Sequence, residues 1–268
     1  MKIYSILILL ISFTINAQQK IYGVVIDQQK KVIPYVNIGI PNTGNGTCSD
    51  ITGTFKITIN DDNITDSLFF SSIGFQMFKI LPIEIIENDL HTIILQPDTL
   101  KLEAIVIEKA NLSTSKVIGN QKSKFSSYGF IAGEGGGAQI SRKVVLKKVP
   151  VRISEISFYA NNQSTTTKQM RVNILEYLGN DFVNIANATE MVNVEPGVGW
   201  VSVKYNHSNV ISKANQILLA IEWVDDDFST PMIGVSGKSR DAYYKRASFD
   251  QWSQIVNMNW GIKAKIFY

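Results

Sequence analysis

The sequence has one cysteine, two histidines and seven prolines in 268 residues, and this scarcity excludes several kinds of site. A single cysteine cannot form an internal disulfide, a Cys-based zinc site or a CxxC redox pair. Basic and acidic residues are nearly balanced, at 26 against 23, and no dense Lys/Arg run is present, so we expect no nucleic-acid partner. Hydrophobic residues make up 45% of the chain, which is enough for one or two domains with a real core.

One continuous apolar stretch lies at the N-terminus. It runs over residues 3–15, follows Lys2 and precedes the small residue Ala17, which is the order found in a secretory signal peptide. The stretch is shorter than the ~20 residues that a membrane-spanning helix needs. We therefore predict a signal peptide over residues 1–17. The exported chain is expected in the periplasm, at the outer membrane through peripheral association, or at the cell surface.

The rest of the chain has the composition of a β protein. Short runs rich in Ile, Val, Thr, Phe and Tyr are separated by Gly, Pro, Asn and Asp, which predicts strands and turns throughout. A stretch rich in Ser, Lys, Asn and Gly divides these runs into two sets, and we place a linker over residues 111–130. We predict an all-β protein with domains at residues 18–110 and 131–268.

The second domain is predicted to be a jelly-roll-like β-sandwich. Residues 217–224 are apolar on both strand faces apart from Glu222, which indicates a central strand between layers. Residues 262–268 alternate and end on Tyr268, which resembles the last strand of an outer-membrane barrel. A small β-barrel of about eight strands is therefore the alternative fold for this domain.

Four blocks in a fixed order characterise the first domain, at residues 23–27, 33–38, 46–57 and 68–75. They resemble the carboxypeptidase regulatory-like domain, a small transthyretin-like β-sandwich. Gly23 suits a close backbone approach, and Asp50 and Gly53 suit a turn before the next strand. The resemblance implies an accessory module, found beside zinc carboxypeptidases or ahead of outer-membrane receptors, without catalytic residues of its own. Residues 102–107 are similar to a strand that often follows this domain in such receptors.

Motifs that would indicate an enzyme are incomplete. His91 and His207 lack the glutamate three residues on that a zinc carboxypeptidase requires. Residues 232–239 end like a P-loop but have Met232 where its first glycine belongs. Residues 133–138 match a dinucleotide fingerprint, but a strand pattern follows where that fingerprint opens a helix. We predict no cofactor.

Candidate binding residues come from the second domain. Trp200 shares a strand face with Ser202 and Lys204 while the intervening residues occupy the other face, so Trp200 is placed to stack on a sugar or a partner. Tyr243 is expected at the same end of the sandwich. The candidate ligand-binding residues are therefore Trp200, Lys204 and Tyr243. Cys48 is expected to be a small buried apolar group.

An acidic turn supplies a weak candidate for metal binding. Residues 225–227 are three consecutive aspartates, of which Asp225 and Asp227 are candidate calcium ligands through their carboxylate oxygens. Consecutive carboxylates rarely converge on one ion, and other loops would have to complete the ligand shell. A solvated turn is the simpler interpretation, and we predict no metal site.

These observations predict a non-enzymatic cell-envelope protein that acts as an accessory or binding module for a glycan or a protein partner. One alternative is a hydrolase of envelope or extracellular polymer that uses a pair of carboxylates from Glu176, Asp181, Glu190 and Glu195. The separation of such carboxylates in space decides that chemistry, and the sequence does not give it. The other alternative is the small outer-membrane barrel.

Overall fold

The computed structural model describes residues 18–85, 90–98, 112–130, 136–178, 181–185, 190–205, 210–212, 214–225 and 231–268. The predicted signal peptide and the strand expected over residues 102–107 lie outside this part of the chain. The described residues form strands and loops with two single 3-10 turns, at Asp61–Asn63 and Pro82–Glu84, which confirms the all-β prediction. Neither turn has the length or the apolar run that crossing a bilayer requires.

The N-terminal domain is a β-sandwich. Its strands are β1 (Gln18–Asp27), β2 (Asn37–Gly39), β3 (Gly46–Cys48), β4 (Thr54–Asn60), β5 (Leu68–Ser71), β6 (Phe78–Ile80) and β7 (His91–Leu95). One sheet has the order β4-β1-β7, with β7 parallel to β1, and the other has the order β3-β2-β5-β6. Both sheets contribute buried side chains to one core, in which Phe55 contacts Phe70 edge to face at 5.5 Å between ring centroids.

The turn residues of this domain act as their sequence predicts. A Cβ atom on Gly23 would lie 2.5 Å from the Phe55 ring, so the close packing of β1 requires glycine. Asp50 accepts hydrogen bonds through Oδ1 from the backbone N–H groups of Thr52 and Thr54, at 2.8 and 2.9 Å. Gly53 adopts a φ of 76° at the turn, a conformation that disfavours other residues.

The C-terminal sandwich has two sheets. Its strands are β8 (Ser115–Gly119), β9 (Ser127–Gly129), β10 (Gln139–Val145), β11 (Val151–Asn162), β12 (Lys168–Leu178), β13 (Asp181–Asn184), β14 (Glu190–Val194), β15 (Gly197–Lys204), β16 (Val210–Ser212), β17 (Gln216–Trp223), β18 (Met232–Val235), β19 (Ala242–Lys245), β20 (Ser253–Ile255) and β21 (Ile262–Phe267). The docked sheet, which contacts the N-terminal domain, has the order β13-β12-β17-β10-β19-β20, with β14 also paired to β12. The far sheet has the order β8-β21-β11-β18-β9, with β15 and β16 also paired to β11.

The two sheets pack face to face around one core, which confirms the predicted sandwich. Ile156 and Phe158 of the far sheet and Leu219 of β17 are fully buried in that core. β17 lies between β10 and β12 and is buried along both faces, as its apolar pattern predicts. Its second face contributes Leu218 and Ala220 to a separate apolar cluster.

The segment predicted as a linker contains two strands of the far sheet. β8 and β9 lie within residues 111–130 and occupy the two ends of the strand order. An edge strand pairs on one side only, and most of β8 is exposed. A short, polar edge strand of this kind has the composition of a linker, which explains the difference from the sequence-based prediction.

Candidate functional site

A buried ion pair lies on the outer face of the docked sheet. Arg171 of β12 and Glu222 of β17 are direct cross-strand partners, and they are 4% and 0% exposed. Arg171 Nε lies 2.8 Å from Glu222 Oε2, and Nη2 lies 2.5 Å from Oε1. Asn173 donates from Nδ2 to Glu222 Oε2 at 2.6 Å. These hydrogen bonds compensate for removing both charges from water.

Arg171 also binds the N-terminal domain. It donates from Nη1 to the Tyr35 carbonyl oxygen at 2.6 Å and from Nη2 to Asn37 Oδ1 at 2.5 Å. Burial is the largest single influence on the pKa of Arg171 and lowers it, but the charges and hydrogen bonds of Glu222 and Cys48 together outweigh burial, so the pKa is raised. The guanidinium therefore remains charged and holds the two domains together.

Cys48 belongs to the same interface. Its Sγ lies 3.3 Å from Asn37 Oδ1 and 3.7 Å from Glu222 Oε1. Burial raises the pKa of the thiol to about 12, while Arg171 opposes this shift and Glu222 adds to it. The thiol stays protonated and is a poor nucleophile. Cys48 is buried as predicted, but its surroundings are polar rather than apolar.

Backbone from the two domains meets closely at Ser248. A Cβ atom on Gly46 would lie 2.5 Å from the Ser248 carbonyl oxygen, and one on Gly39 would lie 2.6 Å from the same atom. Ser248 donates its hydroxyl to the Thr47 carbonyl oxygen at 2.9 Å. Glycine at both positions is therefore a condition for this docking.

A cleft of about 830 Å³ opens beside the interface, between the N-terminal domain and the docked sheet. The aromatic part of its lining is Phe182, Phe249 and Trp252, and the charged part is Lys245 and Asp250. The rings of Phe182 and Trp252 are 6.4 Å apart between centroids at an interplanar angle of 72°. Clefts of this size at domain interfaces are common places for small ligands.

Lys245 is the cationic group of this cleft. Its Nζ lies 5.6 Å from the centroid of the Trp252 ring. Burial lowers the pKa of Lys245, and the Glu222 carboxylate opposes this shift without cancelling it. Within the part of the chain that the structure describes, no carboxylate lies in ion-pair contact with this ammonium group.

The far sheet presents a cluster of aromatic rings on its outer face. Trp200 lies opposite Tyr159 in the β15–β11 register, with 5.5 Å between ring centroids. Phe125 lies 4.9 Å from Tyr159 and 6.0 Å from Trp200, and Tyr128 lies 6.4 Å from Tyr159. Trp200 is half-buried, so part of its ring reaches the surface.

Cationic side chains surround these rings. Lys263 Nζ lies 3.7 Å from the Trp200 ring centroid, which is a cation–π contact. Lys204 and Lys265 are exposed, and they flank Glu155 in the cross-strand register. Among the described residues, none of these three lysines forms an ion pair with an acid. The centre of this face therefore carries an excess of positive charge.

The predicted ligand-binding residues do not form one site. Trp200 and Lys204 share the outer face of the far sheet, as their alternation predicts. Tyr243 lies in the docked sheet and packs with Phe182 at 6.1 Å between ring centroids, so, contrary to the expectation, it does not lie beside Trp200. Residue alternation gives the face of a strand, but it does not show to which sheet that strand belongs.

The aspartate turn is described only in part. Asp225 is exposed just beyond the end of β17, and Asp227 lies outside the described residues. Over the residues with a described position, no three His, Cys, Asp or Glu side chains are grouped as a metal site requires.

The carboxylates considered for a hydrolase lie on or beside three different strands, and hydrogen bonds are described for two of them. Glu176 lies on β12 and accepts a hydrogen bond from the backbone N–H of Ala214 at 3.4 Å. Glu195 accepts from the Thr167 hydroxyl at 2.6 Å, and Glu190 pairs through its backbone with Val172. The side chain of Asp181 lies outside the described part of the chain.

Sequence reasoning missed the residues that build the interface and the cleft. Glu222 is the one charged residue in the apolar strand β17, which was a usable signal for a buried polar contact, whereas Arg171 lies on β12 among other polar and charged residues. Phe182 and Lys245 had no comparable signal. Their importance depends on the N-terminal domain, which covers this side of the docked sheet.

Comparison with known proteins identifies the N-terminal domain. Residues 21–107 match the family model of the CarboxypepD_reg-like domain. The predicted resemblance is confirmed. This match lies within the first domain and does not extend into the C-terminal sandwich. No curated protein matches the chain in sequence.

The solved structures that the chain resembles are distant from it. A clostridial cysteine protease, Cwp84 after propeptide cleavage, is 10% identical with a TM-score of 0.42, and the alignment covers 95% of this chain and 72% of that chain. The cysteine protease and lectin-like domains of Cwp84, a surface layer associated protein of Clostridium difficile, are 9% identical with a TM-score of 0.37, covering 87% and 58%. A CBM4 structure is 16% identical with a TM-score of 0.25, covering 56% and 94%. These likenesses are too distant to indicate a function.

Proposed function

We propose that this protein is an exported binding protein of the cell envelope, and that its C-terminal sandwich binds an acidic glycan on the outer face of the far sheet. One observation carries the proposal. Lysines without an ion-pair partner among the described residues lie beside a cluster of aromatic rings around Trp200. The N-terminal domain then has an accessory role. It covers the docked sheet and leaves the opposite face of the sandwich available.

The arrangement of charges supports an acidic ligand over a neutral one. On β11, β15 and β21 the outward-facing side chains include four cations and one acid, Glu155; the cations are Arg152, Lys204, Lys263 and Lys265. A surface with one predominant sign of charge attracts ligands of the opposite sign. Carboxylate or sulfate groups would contact the lysines, and the apolar face of a sugar ring would contact the exposed part of Trp200.

The width of the sheet surface also supports a polymer rather than a small molecule. Neighbouring strands lie about 4.8 Å apart, so β15, β11 and β21 together present a platform about 10 Å across. Lys204 and Lys265 lie on opposite sides of β11 in the same cross-strand row. A chain that crosses this row can contact both lysines.

A glycan array that includes uronate-containing and sulfated polymers tests the proposal, with the chain from residue 18 to residue 268 as the probe. We expect binding to acidic polymers, a loss of at least about tenfold in affinity for Trp200→Ala, and a comparable loss for the double variant Lys204→Gln/Lys265→Gln. Lys56→Gln is the matched control, because Lys56 also lies over an aromatic ring, that of Tyr22, but on the N-terminal domain.

Three results would contradict the proposal: no binding to any acidic polymer, equal binding to neutral polymers, or full binding by both far-sheet variants. Circular dichroism and thermal unfolding of each variant separate a loss of binding from a loss of fold. Export is tested independently by N-terminal sequencing of the mature protein, which we expect to begin at Gln18.

A further inference from the structure

The cleft between the domains is distinct from the far-sheet surface and has the dimensions of a ligand site. Its volume of about 830 Å³ is in the range that holds small ligands. It lies on the opposite side of the C-terminal sandwich from Trp200, because its walls are the outer face of the docked sheet and the N-terminal domain.

The floor of the cleft is aromatic. Trp252 and Phe182 contact each other edge to face, and both pack on a cluster that contains Leu175 and Leu218. Phe249 adds a third ring to the lining and is itself held by Phe69 at 5.8 Å between centroids. Rings fixed in this way give a ligand an apolar surface to contact without a large loss of side-chain entropy.

The same cleft carries one cation without an ion-pair partner. Lys245 lines it and lies over the Trp252 ring, and among the described residues no acid is in ion-pair contact with it. Asp250, the nearby carboxylate, instead accepts backbone hydrogen bonds from Gln251 at 2.9 Å and Arg246 at 3.3 Å. A partly buried ammonium group of this kind favours an anionic ligand.

Polar side chains at the rim of the cleft also lack hydrogen-bond partners among the described residues. Asn42, Ser71 and Gln251 line it, and their side chains make no hydrogen bond to other described residues. A purely aromatic ligand would bury these amides and this hydroxyl without partners, which is costly. A ligand with several hydroxyl groups would satisfy them.

We infer that the cleft binds an acidic monosaccharide unit of the hexuronate class. Its carboxylate contacts Lys245, the apolar face of its ring packs against Trp252, and its hydroxyls hydrogen-bond with Asn42, Ser71 and Gln251. The net charge, the ring and the hydroxyls of a hexuronate each match one part of the lining.

Isothermal titration of the chain from residue 18 to residue 268 with sodium D-glucuronate and sodium D-galacturonate tests the inference, with D-glucose and D-galactose as neutral counterparts. We expect at least one uronate to bind about tenfold or more tightly than its neutral counterpart, because the neutral sugar lacks the charge-assisted contact. Lys245→Gln should remove this preference, and Trp252→Ala should weaken uronate binding by about tenfold.

Lys143→Gln is the matched control. Lys143 also lies over an aromatic ring of the docked sheet, Tyr243, at 5.5 Å, but it does not line the cleft. We expect this variant to bind uronate as the parent does. Thermal unfolding of all three variants identifies any that are misfolded, and Lys245→Arg, which keeps the charge, should retain the preference for the acidic sugar.

The inference is overturned if neither uronate binds, if the neutral sugars bind equally well, or if Lys245→Gln keeps the preference. Its outcome is independent of the far-sheet proposal, because Trp200→Ala should leave uronate titration unchanged. If the parent chain binds uronate but binds no acidic polymer, only the function proposed for the far sheet is contradicted.

Discussion

The two outer faces of the C-terminal sandwich use similar residues in opposite ways. On the docked sheet, Arg171 and Glu222 are buried, paired and hydrogen-bonded across the domain interface. On the far sheet, Lys204 and Lys265 are exposed and have no ion-pair partner among the described residues. The role of a charged residue on a strand therefore depends on whether another layer covers it. Covered charges hold domains together, and uncovered charges are available to a ligand.

The largest expected effect comes from breaking the covered ion pair. Arg171→Met leaves Glu222 buried without its partner, which should lower the free energy of unfolding by about 3–5 kcal/mol. Urea unfolding followed by tryptophan fluorescence measures this loss. Lys204→Met on the far sheet is the comparison, with an expected change within about 0.5 kcal/mol. Equal effects of the two substitutions would remove the distinction between the faces.

Close backbone contact gives the next largest effect. Gly46→Ala places a Cβ atom 2.5 Å from the Ser248 carbonyl oxygen, so the domains have to move apart. We expect a loss of about 1–3 kcal/mol in the free energy of unfolding. Gly199→Ala is the matched control on β15 of the far sheet, where an added Cβ atom meets nothing within 4 Å. If Gly46→Ala is as stable as Gly199→Ala, the backbone of Gly46 does not approach the Ser248 carbonyl oxygen as closely as described.

The thiol of Cys48 gives a pH-dependent test of the covered face. Its pKa is raised by burial from an ordinary value of 9.0 to about 12, so the folded state holds this proton more tightly than the unfolded state does. The resulting stability is complete below pH 9 and is lost as the pH rises towards 12. The parent should therefore lose more stability over this range than Cys48→Ala does.

Thiol modification provides a second measurement on the same residue. At pH 8 the native chain should react with an aromatic disulfide reagent far more slowly than the chain in denaturant. Rapid modification of the native protein would show that Cys48 is accessible and would contradict its burial at the interface.

The smallest expected effect on stability lies at the exposed lysines. Lys265→Gln should change the free energy of unfolding by no more than about 0.5 kcal/mol, because the side chain has no ion pair to lose. The same change should reduce the salt dependence of binding to an acidic polymer, measured by titration at two ionic strengths. A large loss of stability with unchanged salt dependence would place Lys265 among the structural residues.

Local sequence patterns were sufficient for much of the fold. The apolar residues on both faces of β17 predicted a central strand between layers, and Asp50 with Gly53 predicted a turn. The alternation around Trp200 placed that residue and Lys204 on one face. Each of these features depends on residues within one strand or one turn.

Features that depend on distant segments could not be predicted in this way. Arg171 and Glu222 are 51 residues apart, and their contact depends on the register between β12 and β17. Tyr243 was assigned to the site of Trp200 because the sequence does not show which sheet contains β19. The cleft exists only because the N-terminal domain docks beside Lys245 and Trp252.

The absence of side chains at Gly39 and Gly46 limits how these domains can be recombined. A transthyretin-like domain from another protein would fit onto this sandwich only if it also lacked side chains at the two positions facing Ser248. It would also need a carbonyl and an amide in the places of Tyr35 and Asn37 to receive the guanidinium. The two halves are therefore matched parts, and exchanging one of them requires its counterpart to be redesigned.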